Sequence, residues 1–152
     1  MSSEPLVAVI DDDPSFRAAL VDSLCSLGYG VCGFASAEDF IAADVEGSCD
    51  CIITDIHMPG MSGLELKRLL TARNSRVPVI MITAHEEPGL EASASAIGSI
   101  CLLRKPFEAS ALTGQGVLFD LWFQVHRTKF LYKRKPKLLR RFGSVFVAQR
   151  NR

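Results

Sequence analysis

Five short apolar runs recur along the chain, each followed by polar residues and, in most cases, by a stretch with helical spacing. Leu6–Ile10 reads as a buried strand that ends on Asp11-Asp12-Asp13, and Val31–Phe34 as a short second strand. Cys51–Thr54 ends on Asp55, Val79–Ile82 ends on Thr83, and Ile100–Leu103 ends at Arg104-Lys105-Pro106. Between the first two runs Phe16, Leu20, Leu24 and Leu27 share one helical face, with Asp13 as N-cap, Pro14 in the first turn and Gly28 as the stop. Ser36 opens a short second helix whose apolar residues are Phe40 and Ile41. Ser62 and Glu65 have capping-box spacing at the head of a third, with Leu66, Leu69 and Leu70 on one face. A weak fourth helix follows Pro88, carries Leu90, Ala94 and Ile97, and stops at Gly98; a fifth begins near Phe107.

Apolar strands alternating with helices imply an α/β fold, a parallel sheet covered on both faces. In a doubly wound five-stranded sheet of order 2-1-3-4-5, strands 1, 3, 4 and 5 are neighbours and strand 2 is an edge. The polar tips Asp11 and Asp12, Asp55, Thr83 and Lys105 belong to those four strands, whereas strand 2 ends on Phe34. The four equipped tips would therefore lie along one rim, at the end of the sheet where such folds bind ligands. Asp55 alone would equally suit a turn cap, and it is the company of the other tips that gives it chemistry. Converging carboxylates repel unless a cation sits among them, and an all-oxygen set of this kind suits Mg²⁺. A lysine and a threonine hydroxyl beyond Asp55 would meet an anion bearing oxygens, which describes a phosphoryl group. No Ser, Cys or His stands with a base at a strand tip, so the nucleophile available there is a carboxylate, and its attack on phosphorus would give an acyl phosphate.

At these residues the chain resembles the receiver domain of two-component response regulators, and within them those of the nitrogen-fixation type. The pieces that carry the resemblance are IDDDPSFR at 10–17, TDIHMPGMSGLEL at 54–66, PVIMITAH at 78–85 and RKPF at 104–107. The resemblance spans about residues 5–112 and shares in fixing the flavodoxin-like strand order. It implies that Asp55 is the phospho-acceptor and that Asp12, Asp55 and the backbone carbonyl of His57 ligate Mg²⁺, with Asp11 assisting through water. It implies that Lys105 contacts the phosphoryl group, that Thr83 is the switch hydroxyl, and that the Lys105–Pro106 peptide is cis. His57 and His85 occupy positions that influence the lifetime of the acyl phosphate in this family, although both also read as plain loop residues. Arg17 reads as a surface residue of the first helix. The implied donor is a sensor histidine kinase or phosphotransfer protein. The implied output is a switched protein-interaction face, with a phosphorylation-dependent homodimer as one form of it. Such a domain is a signalling module and not an enzyme, at most phosphorylating itself from small donors and dephosphorylating itself. Relatives usually carry an aromatic residue where this chain has Leu102, which affects coupling to the output face and not the chemistry.

Composition refines this picture at the C-terminal end. Net charge is zero over 152 residues, but residues 1–120 hold all 17 acidic residues and seven basic ones, while residues 121–152 hold ten basic residues and no acid. The receiver is therefore expected over 1–120, with its fifth helix atypical after about 113, where Gly114 and Gly116 interrupt it. Residues 121–152 read as a basic tail bearing Trp122, Phe123, Phe130, Tyr132, Phe142 and Phe146, without a helix-turn-helix or other recognised DNA-binding domain. An out-of-frame or truncated end, or a loosely ordered tail, accounts for it. The alternative is a binding module that grips nucleic acid or an anionic membrane, and a further one is a degenerate receiver that is never phosphorylated. The opening MSSEPLVAVIDDD holds an apolar run too short for a signal peptide or a membrane span. Five cysteines without metal spacing suit buried reduced thiols in a cytoplasmic protein.

Overall fold

β1 (Leu6–Ile10), β3 (Cys51–Asp55) and β4 (Val79–Thr83) form the middle of a five-stranded sheet, flanked by β2 (Gly30–Phe34) on one side and β5 (Cys101–Arg104) on the other. All pairings are parallel and the order is β2-β1-β3-β4-β5, the doubly wound arrangement expected from the sequence. This computed structural model describes residues 5–99 and 101–105. The fifth helix, its break at Gly114 and Gly116, the boundary near 120, the basic tail and the Lys105–Pro106 peptide lie outside the described residues.

β3 and β4 are buried along their whole length, and β1 at all but its first residue, as the central strands of a parallel sheet are. Ala8, Ile10, Ile52, Val79 and Met81 point to one face, where they meet Phe40 of α2 (Ala37–Ala43), Leu66 and Leu70 of α3 (Gly63–Ala72) and Leu90 and Ala94 of α4 (Leu90–Ala96). Val7, Val9, Ile53, Ile80 and Ile82 alternate to the other face, the side on which α1 (Pro14–Ser26) buries Leu20 and Leu24. β2 is only half-buried, as an edge strand is.

Local signals explain where the helices begin. The Asp13 carboxylate accepts from the amides of Ser15 and Phe16, with Pro14 at the first helical position. Ser36 accepts from the Asp39 amide. Ser62 and Glu65 form a full capping box, each side chain bonding the other's amide at 2.9–3.1 Å. α4 starts from Gly89 at φ +83° without a side-chain cap and runs only seven residues, in keeping with its weak pattern.

Several expectations are corrected. Leu69 is half-buried, and the buried stripe of α3 is Gly63, Leu66, Lys67 and Leu70. The Lys67 stem lies along the protein toward Gly98, with its Cε within 4 Å of where a Cβ on that glycine would stand. Phe16 and Leu27 are half-buried while Leu20 and Leu24 carry the core face of α1. Arg17 is half-buried too, because its guanidinium folds back to the end of β1. Of the cysteines, Cys49 and Cys51 are buried, but Cys32 on the edge strand is half-buried and Cys25 is exposed. Burial pushes the Cys49 thiol up to about 11, so it stays protonated at neutral pH. Among the described residues no helix is long and apolar enough to cross a membrane.

Candidate functional site

Sheet register places the polar tips at one level. Ile10 pairs with Thr54, Asp55 with Ile82, and Thr83 with Arg104. Asp11 therefore emerges beside Asp55, and Lys105 one step beyond Thr83. Asp11 is tied back by its amide to the Phe34 carbonyl at 3.0 Å, and Lys105 by its amide to the Thr83 carbonyl at 2.7 Å. On the far side of Asp55, Gly63 brings the first turn of α3 against the strand end. A Cβ at Gly63 would collide with the Asp55 carbonyl oxygen. Only a residue without a side chain permits that approach.

Asp11, Asp55 and Thr83 are buried, whereas Asp12 stands exposed at the mouth. One carboxylate oxygen from each of Asp11, Asp12 and Asp55 lies within 4.8 Å of the other two. Opposite them, the Lys105 ammonium sits 2.7 Å from Asp11 Oδ2 and 3.2 Å from Asp55 Oδ2. The Asp55 contact is a hydrogen bond, while Asp11 Oδ2 pairs with the ammonium without hydrogen-bond geometry and is otherwise unpartnered among the described residues. Asp11 Oδ1 accepts from the Asp13 amide at 2.9 Å and Asp55 Oδ1 from the His57 amide at 3.3 Å.

Electrostatics follow from this crowding. Burial raises the Asp55 pKa above the usual carboxylate value and the Asp11 charge adds to the rise, while Lys105 and the His57 amide oppose it. Burial alone would lower Lys105, but the two carboxylates outweigh it and hold its pKa above the ordinary lysine value. One ammonium thus serves two acids, with a third at the mouth. An oxygen-only donor set with a surplus of negative charge and a buried acid oxygen lacking a hydrogen bond is what a hard divalent cation fits.

The Thr83 hydroxyl does not point at open space. Its oxygen accepts from the His85 amide at 3.0 Å and lies 3.3 Å from His57 Nδ1. His57 Nε2 is 3.2 Å from Glu87 Oε1, and the His57 and His85 rings lie 4.2 Å apart between centroids. The His57 side chain therefore links the loop after β3 to the loop after β4. Glu38 of α2 fixes the same β3–α3 loop from outside by accepting the Met61 amide at 2.6 Å. That bond lowers the Glu38 pKa.

The structure thus brings together Asp11, Asp12, Asp55 and Lys105, and sets Thr83 and His57 beside them. Phe16, Arg17, Glu38 and Glu87 join the site without having been singled out for it in the sequence. Arg17 Nη1 donates to the Asp11 carbonyl oxygen at 2.5 Å, and the Phe16 ring lies under the Lys105 ammonium. A helix-start position just past the acids was the available signal for both.

Comparison with known proteins agrees with this geometry. Residues 7–115 match the family model of the response regulator receiver domain. The chain is 42% identical over 106 residues to the transcriptional regulatory protein FixJ of Azorhizobium caulinodans, covering 70% of this chain and 50% of that protein. It is 36% identical over 113 residues to FixJ of Bradyrhizobium diazoefficiens, covering 74% and 55%. The chain therefore spans about half the length of these curated relatives. Among solved structures, the crystal structure of FixJ-N aligns with a TM-score of 0.68 at 28% identity, covering 84% of this chain and 97% of that one. The Vibrio cholerae chemotaxis protein CheY4 aligns at 0.70 and 26%, covering 78% and 99%. A rim of three acids and one lysine on a 2-1-3-4-5 sheet, matched over most of its length by these relatives, makes this chain a member of the response regulator receiver domain family.

Proposed function

We propose that Asp55 accepts a phosphoryl group from the phosphohistidine of a sensor kinase or phosphotransfer partner. An Asp55 carboxylate oxygen attacks phosphorus, the new O–P bond forms as the P–N bond breaks, and the departing imidazole takes up a proton. The observation that carries this reading is the placement of Asp55 at a strand tip between two further acids and a lysine that is 3.2 Å away. Asp11, Asp12, Asp55 and the His57 carbonyl are the groups proposed to hold Mg²⁺, which would neutralise phosphoryl oxygens during transfer. Lys105 does the same from the other side, and its ammonium is already fixed at the rim. Thr83 is the proposed switch. To reach a phosphoryl oxygen its hydroxyl must leave the 3.3 Å contact with His57 Nδ1, which would shift the loop carrying His85 and Glu87. The added charge of about −1.5 to −2 acts by favouring one of two arrangements of that loop, α4 and β5. Leu102 on β5 is half-buried against the core and contributes to this face. The face would then meet a partner or a second copy, in the cytoplasm, and through it influence transcription as the names of the FixJ relatives suggest.

Incubation with acetyl phosphate and Mg²⁺ tests the reading. It should give an acid-stable, base-labile phosphoryl label that Asp55→Asn abolishes and chelation of Mg²⁺ suppresses. Labelling that persists in Asp55→Asn would overturn the assignment.

A further inference from the structure

Phe16 delivers an aromatic ring to a site whose chemistry does not require one. Its amide is held by the Asp13 carboxylate at 3.2 Å, and its neighbour Arg17 bonds the Asp11 carbonyl oxygen at 2.5 Å. The first turn of α1 is therefore pinned to the end of β1, the strand that supplies the buried acid. From that turn the ring reaches the Lys105 ammonium, which stands 4.2 Å from its centroid, well inside the range at which a ring face attracts a cation. The Lys105 side chain is 13% exposed. Its ammonium thus has one carboxylate at 2.7 Å, another at 3.2 Å and a π face.

We propose that Phe16 is a positioning residue for Lys105, its ring face holding the ammonium at the rim where the phosphoryl group arrives. The proposal rests on the reading of Asp55 as acceptor. Transfer changes the surroundings of the ammonium. An Asp55 oxygen becomes bonded to phosphorus in the acyl phosphate, and its charge is replaced by that of the phosphoryl oxygens farther out. Lysine is a point charge on a flexible four-carbon stem, and with Asp55 altered the Asp11 carboxylate would draw it inward. The ring is an uncharged partner that phosphorylation leaves as it was. It also keeps water off one side of the ammonium, which strengthens the remaining electrostatic contacts.

Fluorinated phenylalanines test this, because fluorine withdraws electron density from the ring face with little change of shape. The full chain carrying one, two or three fluorines on residue 16 is labelled with acetyl phosphate and Mg²⁺. The transfer step forms the Asp55 O–P bond and expels acetate. The maximal rate and the half-saturating donor concentration are read separately. The labelling rate is expected to fall stepwise with fluorination, by roughly three- to tenfold across the series, while the circular dichroism spectrum stays the same. In the Lys105→Met background the residual rate should not depend on fluorination. A labelled chain whose rate is indifferent to fluorination overturns the proposal alone. An unsubstituted chain that takes no label overturns the acceptor reading and the proposal with it.

Discussion

Burial and the Asp11 carboxylate push Asp55 above the ordinary carboxylate value of 3.8, and Lys105 offsets them only in part. Folding therefore shifts the acid toward its protonated form relative to the unfolded chain. That preference stabilises the fold below pH 3.8 and is lost as pH rises through the folded-state pKa. At neutral pH the wild-type chain carries an ionised group at a cost that an amide would not have. Asp55→Asn is expected to melt higher than wild type at pH 7 in a chelator, with the gap closing on acidification. Mg²⁺ should raise the wild-type melting temperature more than that of the variant, since ligand binding to the folded state stabilises it. Thermal melts across pH, with and without Mg²⁺, measure both effects, and a variant less stable than wild type at pH 7 would contradict the account. The acids, Thr83 and Lys105 were legible in the sequence because each is a polar residue ending an apolar strand, and sheet register does the rest. Phe16 was not, since its spacing with Leu20 and Leu24 suits a core face equally well. The His57–Glu87 contact was not either, because it joins two loops whose approach only the fold defines.

At the scale of the element, α3 does more than cover the sheet. Its head is set by the Ser62–Glu65 capping box and by the Gly63 amide, which donates to the Ile56 carbonyl at 3.0 Å. Two substitutions separate capping from placement of the acceptor. Ser62→Ala should cost about 1 kcal/mol, the usual value of a lost N-cap, and leave the Asp55 labelling rate nearly unchanged. Gly63→Ala forces a methyl group into the Asp55 backbone, which no rotamer change can relieve. It should cost roughly 1–3 kcal/mol and also slow labelling, because the strand end must shift. Urea unfolding and acetyl phosphate labelling of the two variants give the comparison. Equal loss of labelling in both would mean that helix stability, and not the position of Asp55, governs the rate. Element types followed from the sequence because apolar runs and caps are local. β5 is described from Cys101 to Arg104, and Ile100, the first residue of its apolar run, lies outside the described residues. Lys67 was hidden by its type, since a lysine stem buries well while its residue class reads as surface.

On the scale of the whole molecule, the groups proposed for phosphoryl transfer all lie between Asp11 and Lys105, while the positive charge is concentrated elsewhere. Residues 121–152 hold ten lysines and arginines and no acid, against a surplus of acids in residues 1–120. Two consequences can be separated by shortening the chain. Removal of residues 134–152 takes away seven of those ten basic residues and touches none of the site groups. Asp55 labelling by acetyl phosphate should then proceed within about twofold of the full chain, because every group proposed to bind or move the phosphoryl group is retained. Binding to an anionic polymer behaves differently. If the basic residues neutralise phosphates, affinity for duplex DNA falls with salt at a slope of about 0.9 per phosphate contact, and the shortened chain should show a much smaller slope. Fluorescence anisotropy over a salt series, run beside the labelling assay, reads both arms. Unchanged labelling with no salt-dependent binding in either chain would leave the receiver as the whole of the activity carried here. Slower labelling after shortening, at high salt as well as low, would instead give the basic segment a part in phosphoryl transfer itself.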